Sequence, residues 1–199
     1  QYALEGNILV SGHAAAFATT MLGLPDEAAL TALAQSVEDS GGVVFVPALA
    51  GLGAPHWCSD ARGTITGLSL ATQPAHIARA TLEAIALQIG DVVAALDADL
   101  GTAIGELSID GGAARNALLM QLLADLTGRR IIRPAIPEAS ALGVARLAAD
   151  GIGVTLPASS EGKKEFFHPA MSAERRESLL ARWHAAVAGA VRAAGSSET

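Results

Sequence analysis

Apolar side chains return at helical spacing most clearly after Thr72, where Ile77, Ala80, Thr81, Ala84, Ile85, Gln88, Val92 and Leu96 recur along one segment. Thr72 suits the cap of that helix and Pro74 its first turn, which makes it the firmest element the chain predicts. Upstream, residues 2 to 10 read as a strand or two with a Gly6-Asn7 turn. His13 to Leu22 reads as a buried helix ending near Gly23, and Asp26 to Val37 as a second helix that stops before Gly41-Gly42. Val43-Val44-Phe45-Val46 is a short unbroken apolar run, the pattern of a strand covered on both faces and central in a sheet.

From Pro47 to Gly67 the pattern dissolves into a Gly-, Pro- and Ala-rich loop carrying His56, Trp57, Asp60 and Arg62, too long for a bare connection. After the long helix, Leu107-Ser108-Ile109 reads as a strand, Asp110-Gly111-Gly112 as a tight turn, and Asn116 to Leu126 as an amphipathic helix closed by Gly128. Arg130 to Arg133 forms one more strand, stopped by Pro134 and Pro137, and Ser140 to Ala149 one more helix ending at Gly151. Residues 154 to 168 read as a polar loop, with Lys163 and Lys164 beside Phe166 and Phe167. Ala173 to Ala194 then forms a terminal helix with a frayed Gly-Ser-Ser-Glu-Thr end.

Composition narrows the class. With 199 residues, 51% hydrophobic and only 4% aromatic, the chain holds enough apolar surface for one core built from small-residue helices on a sheet, an α/β layer fold. The net charge of −7 and scattered basic residues give no face for a phosphate backbone, so nucleic acid is not expected as a partner. A small phosphorylated ligand is still compatible, because backbone N–H groups at a helix start hold an anion without net positive charge. Cys58 is the sole cysteine, which excludes an intramolecular disulfide, and no signal peptide or membrane span is visible. A cytoplasmic protein is the expectation. The opening Gln-Tyr-Ala-Leu-Glu-Gly lacks an initiator Met and enters strand-like sequence at once, which reads as a chain cut between domains.

Candidate chemistry is sparse. Two glycines in Asp110-Gly111-Gly112 allow close backbone approach, and a following helix would offer free N–H donors, so phosphate or ribose could lodge there; a plain βα turn accounts for the glycines equally well. No Gly-x-x-x-x-Gly-Lys-Ser/Thr exists, and Gly51-Leu52-Gly53-Ala54-Pro55-His56 lacks the third glycine of a dinucleotide fingerprint. His13, His56, His76, His168 and His184 show no catalytic or metal-ligand spacing and are expected to be structural or solvent-facing. Glu83, two turns along the long helix from His76, is open to a catalytic, paired or structural role, the last being the plainer. Trp57 suits either the wall of a pocket or a plug between loop and core.

The stretch Gly63-Thr64-Ile65-Thr66-Gly67-Leu68, followed by His76-Ile77 and then Ala80-Thr81-Leu82-Glu83, resembles the second signature of the FGGY carbohydrate kinases at every constrained position. Tyr2-Ala3-Leu4-Glu5-Gly6, Phe45-Val46-Pro47-Ala48, Gly51-Leu52-Gly53-Ala54-Pro55-His56-Trp57 and Ala61-Arg62-Gly63 are similar in order and spacing to the glycerol kinases of that family. Asp110-Gly111-Gly112-Ala113 with Asn116 resembles the family's adenosine-binding segment, and Ser140-Ala141-Leu142-Gly143 also fits. Ala16 departs from it, standing where glycerol kinases commonly place a Gln that helps hold the nucleotide. The run His13 to Phe17 is likewise unlike theirs.

The likeness covers residues 1 to 153 and implies an actin-like, ribonuclease-H-like α/β domain with a mixed central sheet flanked by helices. Residues 1–153 would be the nucleotide-binding C-terminal domain, residues 154–199 a polar loop and helix of the same domain, and the N-terminal kinase domain would be absent. Gly12, Gly111, Gly112 and Asn116 are then the cofactor-binding residues, with ATP and Mg²⁺ as cofactors and no catalytic or metal-binding residue within the chain. The implied reaction is transfer of the γ-phosphate of ATP to a polyol hydroxyl, glycerol first, by a protein that is inactive without its other domain. Another polyol or a pentulose as substrate, or a non-catalytic interaction module on the same fold, are the alternatives. The implied partners are ATP, a polyol or sugar and the missing domain, without nucleic acid or membrane; a homo-oligomer stays open.

Overall fold

The computed structural model describes residues 3–135, 139–155 and 162–196. Its spine is the expected long helix, α3 (Pro74–Leu100). Gln73, rather than Thr72, stands at the cap position: its carbonyl accepts from the His76 N–H at 2.9 Å, while His76 Nδ1 accepts from the Gln73 N–H at 3.1 Å. Thr72 instead closes its own turn, its hydroxyl oxygen accepting from the Ser69 N–H at 2.9 Å. Pro74 sits at the first helical position and Gly101 ends the helix in the left-handed region. Residues 80–88 of α3 are buried on all sides, and four of these nine are Ala or Thr, small enough to let neighbours approach closely.

Around α3 pack α1 (Gly12–Met21), α2 (Glu27–Gln35), α4 (Ala117–Thr127), α6 (Ala173–Gly195) and the strand β1 (Val44–Val46). Asp26 begins α2 by accepting from the Ala29 N–H at 2.8 Å. The α6 start is tied to α4 through Asp125, a buried carboxylate whose Oδ1 accepts from the N–H groups of Ala170 (2.7 Å) and Met171 (3.2 Å).

Two sheets are present among the described residues. β1 pairs antiparallel with β2 (Thr64–Thr66), and β3 (Glu106–Ser108) runs parallel to β4 (Arg130–Arg133), which pairs antiparallel with β5 (Glu165–Phe167). The mixed sheet flanked by helices is thus present. β1, however, is not central: it belongs to a two-stranded sheet, and its burial comes from α3 and α6 packing over it. The long loop accordingly ends earlier than expected, at β2. Gly67, directly after β2, has φ +75°, and a Cβ there would lie 2.1 Å from the Gly42 carbonyl oxygen. Close backbone approach, not ligand contact, is what requires that glycine.

Two further expectations change, and a third holds. Residues 3–10 form no strand: the Asn7 carbonyl accepts from the Ala54 N–H (3.1 Å) and the Val10 carbonyl from Gln88 Nε2 (3.2 Å), so loop and helix satisfy a segment that has no neighbouring strand. Residues 165–167 form β5 instead of loop, with Phe166 under Arg130 and Phe167 under Arg133. The helix expected from Ser140 runs as α5 (Ala139–Gly151). Gln1, Tyr2, Pro137, residues 156–161 and the last three residues of the expected frayed end lie outside the described residues.

Candidate functional site

A cavity of about 400 Å³ opens between the start of α1, the length of α2, the middle of α3 and the start of α4. Gly12, Thr31, Leu82, Ile85, Gly112 and Asn116 all line it, so four segments of the chain meet at one place. Apolar floor with few polar groups at the wall is the usual make-up of a small-molecule site.

Each wall has a local cause. Gly12 opens α1, and a Cβ built on it would meet nothing within 4 Å; the same is true of Gly112. Both leave open surface where a side chain would stand. After β3 the chain does not pass straight from the glycine turn into a helix: residues Gly112–Arg115 make one 3-10 turn, and α4 starts five residues after Gly112. The α4 N-terminus is already capped, because Asn116 Oδ1 accepts from the Leu119 N–H at 3.1 Å. The cap takes the Leu119 N–H, and the helix begins five residues beyond Gly112 instead of directly after the glycine turn.

Gly111 stands apart from the other three. Its φ of 83° and ψ of −176° fall in a region open essentially to glycine alone. It lines a second cavity of about 390 Å³ on the other side of the turn, with Asp110, Arg115, Arg133, Lys163 and Glu165. Arg115 lines both cavities. Three of the four expected residues are thus brought together, and the fourth shapes the turn between two cavities.

The remaining candidates divide into supports and exposed residues. Glu83 is buried and pairs with Arg79 Nε at 2.9 Å, one turn back on α3, which is the structural role. Trp57 is 74% exposed and so neither walls the cavity nor plugs the core. Ala16 lies on the exposed face of α1. His13 is exposed and His76 caps α3. His168 is exposed, its carbonyl accepting from Gln121 Nε2 at 2.9 Å.

One polar cluster was not visible in the sequence. The buried carboxylate of Asp91 accepts from Trp183 Nε1 (2.8 Å) and His56 Nε2 (2.9 Å) at Oδ2, and from His184 Nε2 (3.1 Å) at Oδ1. Burial raises the Asp91 pKa, but hydrogen bonds from His56, Trp183 and His184, with the His56 charge, outweigh it and hold the pKa below the ordinary 3.8. The partners are separated by 35 to 93 residues, so spacing carried no signal. Among the described residues no group of three or more His, Cys, Asp or Glu could hold a metal ion, and no helix is long and apolar enough to cross a membrane.

Comparison with known proteins agrees with this architecture. Residues 1–151 match the C-terminal domain of the FGGY family of carbohydrate kinases. Glycerol kinase of Aromatoleum aromaticum is 50% identical over 191 residues, covering 94% of this chain and 38% of that protein. Glycerol kinase of Bordetella parapertussis is 46% identical over the same shares. The chain spans about two fifths of the length of these relatives. The crystal structure of Plasmodium falciparum glycerol kinase with ADP superposes with a TM-score of 0.81 at 30% identity, over 92% of this chain and 38% of that one. Xylulose kinase from Rhodospirillum rubrum gives 0.74 at 33% identity over the same shares. The fold is the actin-like, ribonuclease-H-like one these kinases share, and the chain belongs to the FGGY family of carbohydrate kinases.

Proposed function

We propose that this chain is the nucleotide-binding half of a kinase that transfers the γ-phosphate of ATP to a polyol hydroxyl, with glycerol giving glycerol 3-phosphate. The observation that carries it is the cavity in which Gly12, Gly112 and Asn116 meet. Its volume of about 400 Å³ and its apolar floor of Leu82 and Ile85 suit a nucleoside, and its two bare glycines allow close approach. Glycerol as acceptor is supported by the glycerol kinase relatives at 46–50% identity.

Residues 1–153 form the nucleotide-binding domain in this reading, and residues 154–199 complete it with β5 and α6. Phosphoryl transfer depends on placing two substrates in line and neutralising charge on the moving group. Mg²⁺, as the cofactor of this reading, would neutralise charge on the phosphates during transfer. This portion would be inactive by itself. A cytoplasmic setting, where a lone thiol stays reduced and ATP is at hand, goes with this reading.

The test is to assay the full-length protein for ATP-dependent phosphorylation of glycerol against a panel of other polyols and pentuloses. Glycerol is expected as the preferred acceptor. Preference for a pentulose would overturn the substrate, and absence of phosphorylation on every acceptor would overturn the kinase reading.

A further inference from the structure

The α2 helix contributes more to the cavity than any sequence motif indicated. Glu27, Thr31 and Gln35, spaced four residues apart, all line it. Residues at that spacing share one helix face, here spanning about 12 Å. Glu27 and Gln35 side chains have no hydrogen-bond or ion partner among the described residues, while Thr31 has two. Its hydroxyl donates to the Glu27 carbonyl at 2.9 Å, which fixes the side chain, and its oxygen accepts from Asn116 Nδ2, also at 2.9 Å.

That second bond decides how Asn116 stands. Its Oδ1 is committed to the Leu119 N–H and its Nδ2 to Thr31, so the carboxamide is held at both ends and cannot turn over. One amide hydrogen and one oxygen lone pair remain for a ligand. The tie also joins α2 to α4 across 85 residues of sequence, although both helices take their main packing from α3. A side-chain bond bridging two separately anchored walls sets their spacing. We infer that Thr31 is a positioning residue of the nucleotide site: it orients the Asn116 carboxamide and fixes the separation of α2 and α4 for a nucleoside. This rests on the nucleotide reading above.

The experiment uses the full-length protein, steady-state kinetics with ATP varied at saturating acceptor, and calorimetric binding of ADP. Thr31→Val keeps the branched shape and removes the acceptor. It is expected to raise the KM for ATP and the Kd for ADP about tenfold, with kcat changed less than about twofold. Thr31→Ser, which keeps the hydroxyl, is expected to restore both within about twofold. Because Thr31 acts through Asn116, adding Thr31→Val to Asn116→Ser should give no further rise in KM. Asn116→Ser retains a capping hydroxyl, so α4 stays capped in that background.

A lowered melting temperature with unchanged KM in Thr31→Val would show a merely structural bond and overturn the inference, leaving the nucleotide reading intact. An additive rise in the double variant overturns it as well. A wild-type protein that binds no ADP overturns both.

Discussion

Two polar sites on opposite stretches of α3 differ in how completely their groups are satisfied. At Asp91, three donors from the loop after β1 and from α6 meet one buried carboxylate. At the cavity beside Leu82 and Ile85, the polar side chains Glu27 and Gln35 have no partner among the described residues, and two glycines leave surface bare. The first has the denser chemistry and the perturbed carboxylate, features that often mark function. It is nevertheless a clasp, since its hydrogen bonds are spent on joining distant segments. The second holds capacity in reserve, which is what a ligand needs.

The largest effect that separates the two sites is expected from Asp91→Ala. Removing the carboxylate leaves Trp183 Nε1, on a side chain with 0% exposure, without its acceptor. Leaving a buried donor unpaired costs about 1–3 kcal/mol, and the bonds from His56 and His184 are lost with it. Urea unfolding should show that loss while the KM for ATP stays unchanged. A shifted KM would mean that the clasp and the cavity are coupled.

The same contrast has a pH signature. The folded pKa of Asp91 lies below 3.8, so its stabilisation is full above that value and disappears as pH falls through the folded pKa. The gap in unfolding midpoint between the wild type and Asp91→Asn should therefore be wide near pH 5 and narrow as pH falls below 3.8. A gap that widened on acidification would contradict the lowered pKa.

Neighbouring glycines give a smaller and cleaner division. Gly111→Ala forces a side chain into backbone space open to glycine and should cost about 1–3 kcal/mol. Gly112→Ala adds a Cβ that meets nothing within 4 Å, so its stability should stay within about 0.5 kcal/mol while the KM for ATP rises. Thermal melts beside ATP titrations of both variants check this. Equal stability loss in the two would erase the distinction between a turn glycine and a ligand-facing one.

The sequence revealed the cavity better than the clasp. Helical periodicity exposed α3, and capping chemistry exposed α2 at Asp26, because both signals act within a few residues. The Gly111-Gly112 turn and the helix start at Asn116 came from a local pattern, and their nucleotide role only from the likeness to the family's adenosine-binding segment. What stayed hidden was pairing at long range. Asp91 with Trp183 spans 92 residues and Asn116 with Thr31 spans 85, and neither leaves a periodic trace. β2 and β5 were hidden for another reason: each is three residues long, too short for period-two alternation to show. For Val43 to Val46 the apolar run signalled burial correctly, but burial by helices and burial by strands look alike in sequence.

Trp57 offers the smallest test and sits one residue from the clasp. Its φ of 47° places a bulky residue in left-handed space, which costs about 1–2 kcal/mol. Its side chain is 74% exposed, so burial returns little of that cost. Glycine would relieve the strain while losing about 0.5–1 kcal/mol to greater freedom in the unfolded chain. The Trp57 N–H bond to the Gly53 carbonyl, 2.8 Å, is kept in either case. Trp57→Gly is thus expected to stabilise by roughly 0.5 kcal/mol, read as a slight rise in melting temperature with no change in ATP dependence. A fall would mean that the ring stiffens the loop carrying His56, making Trp57 part of the clasp.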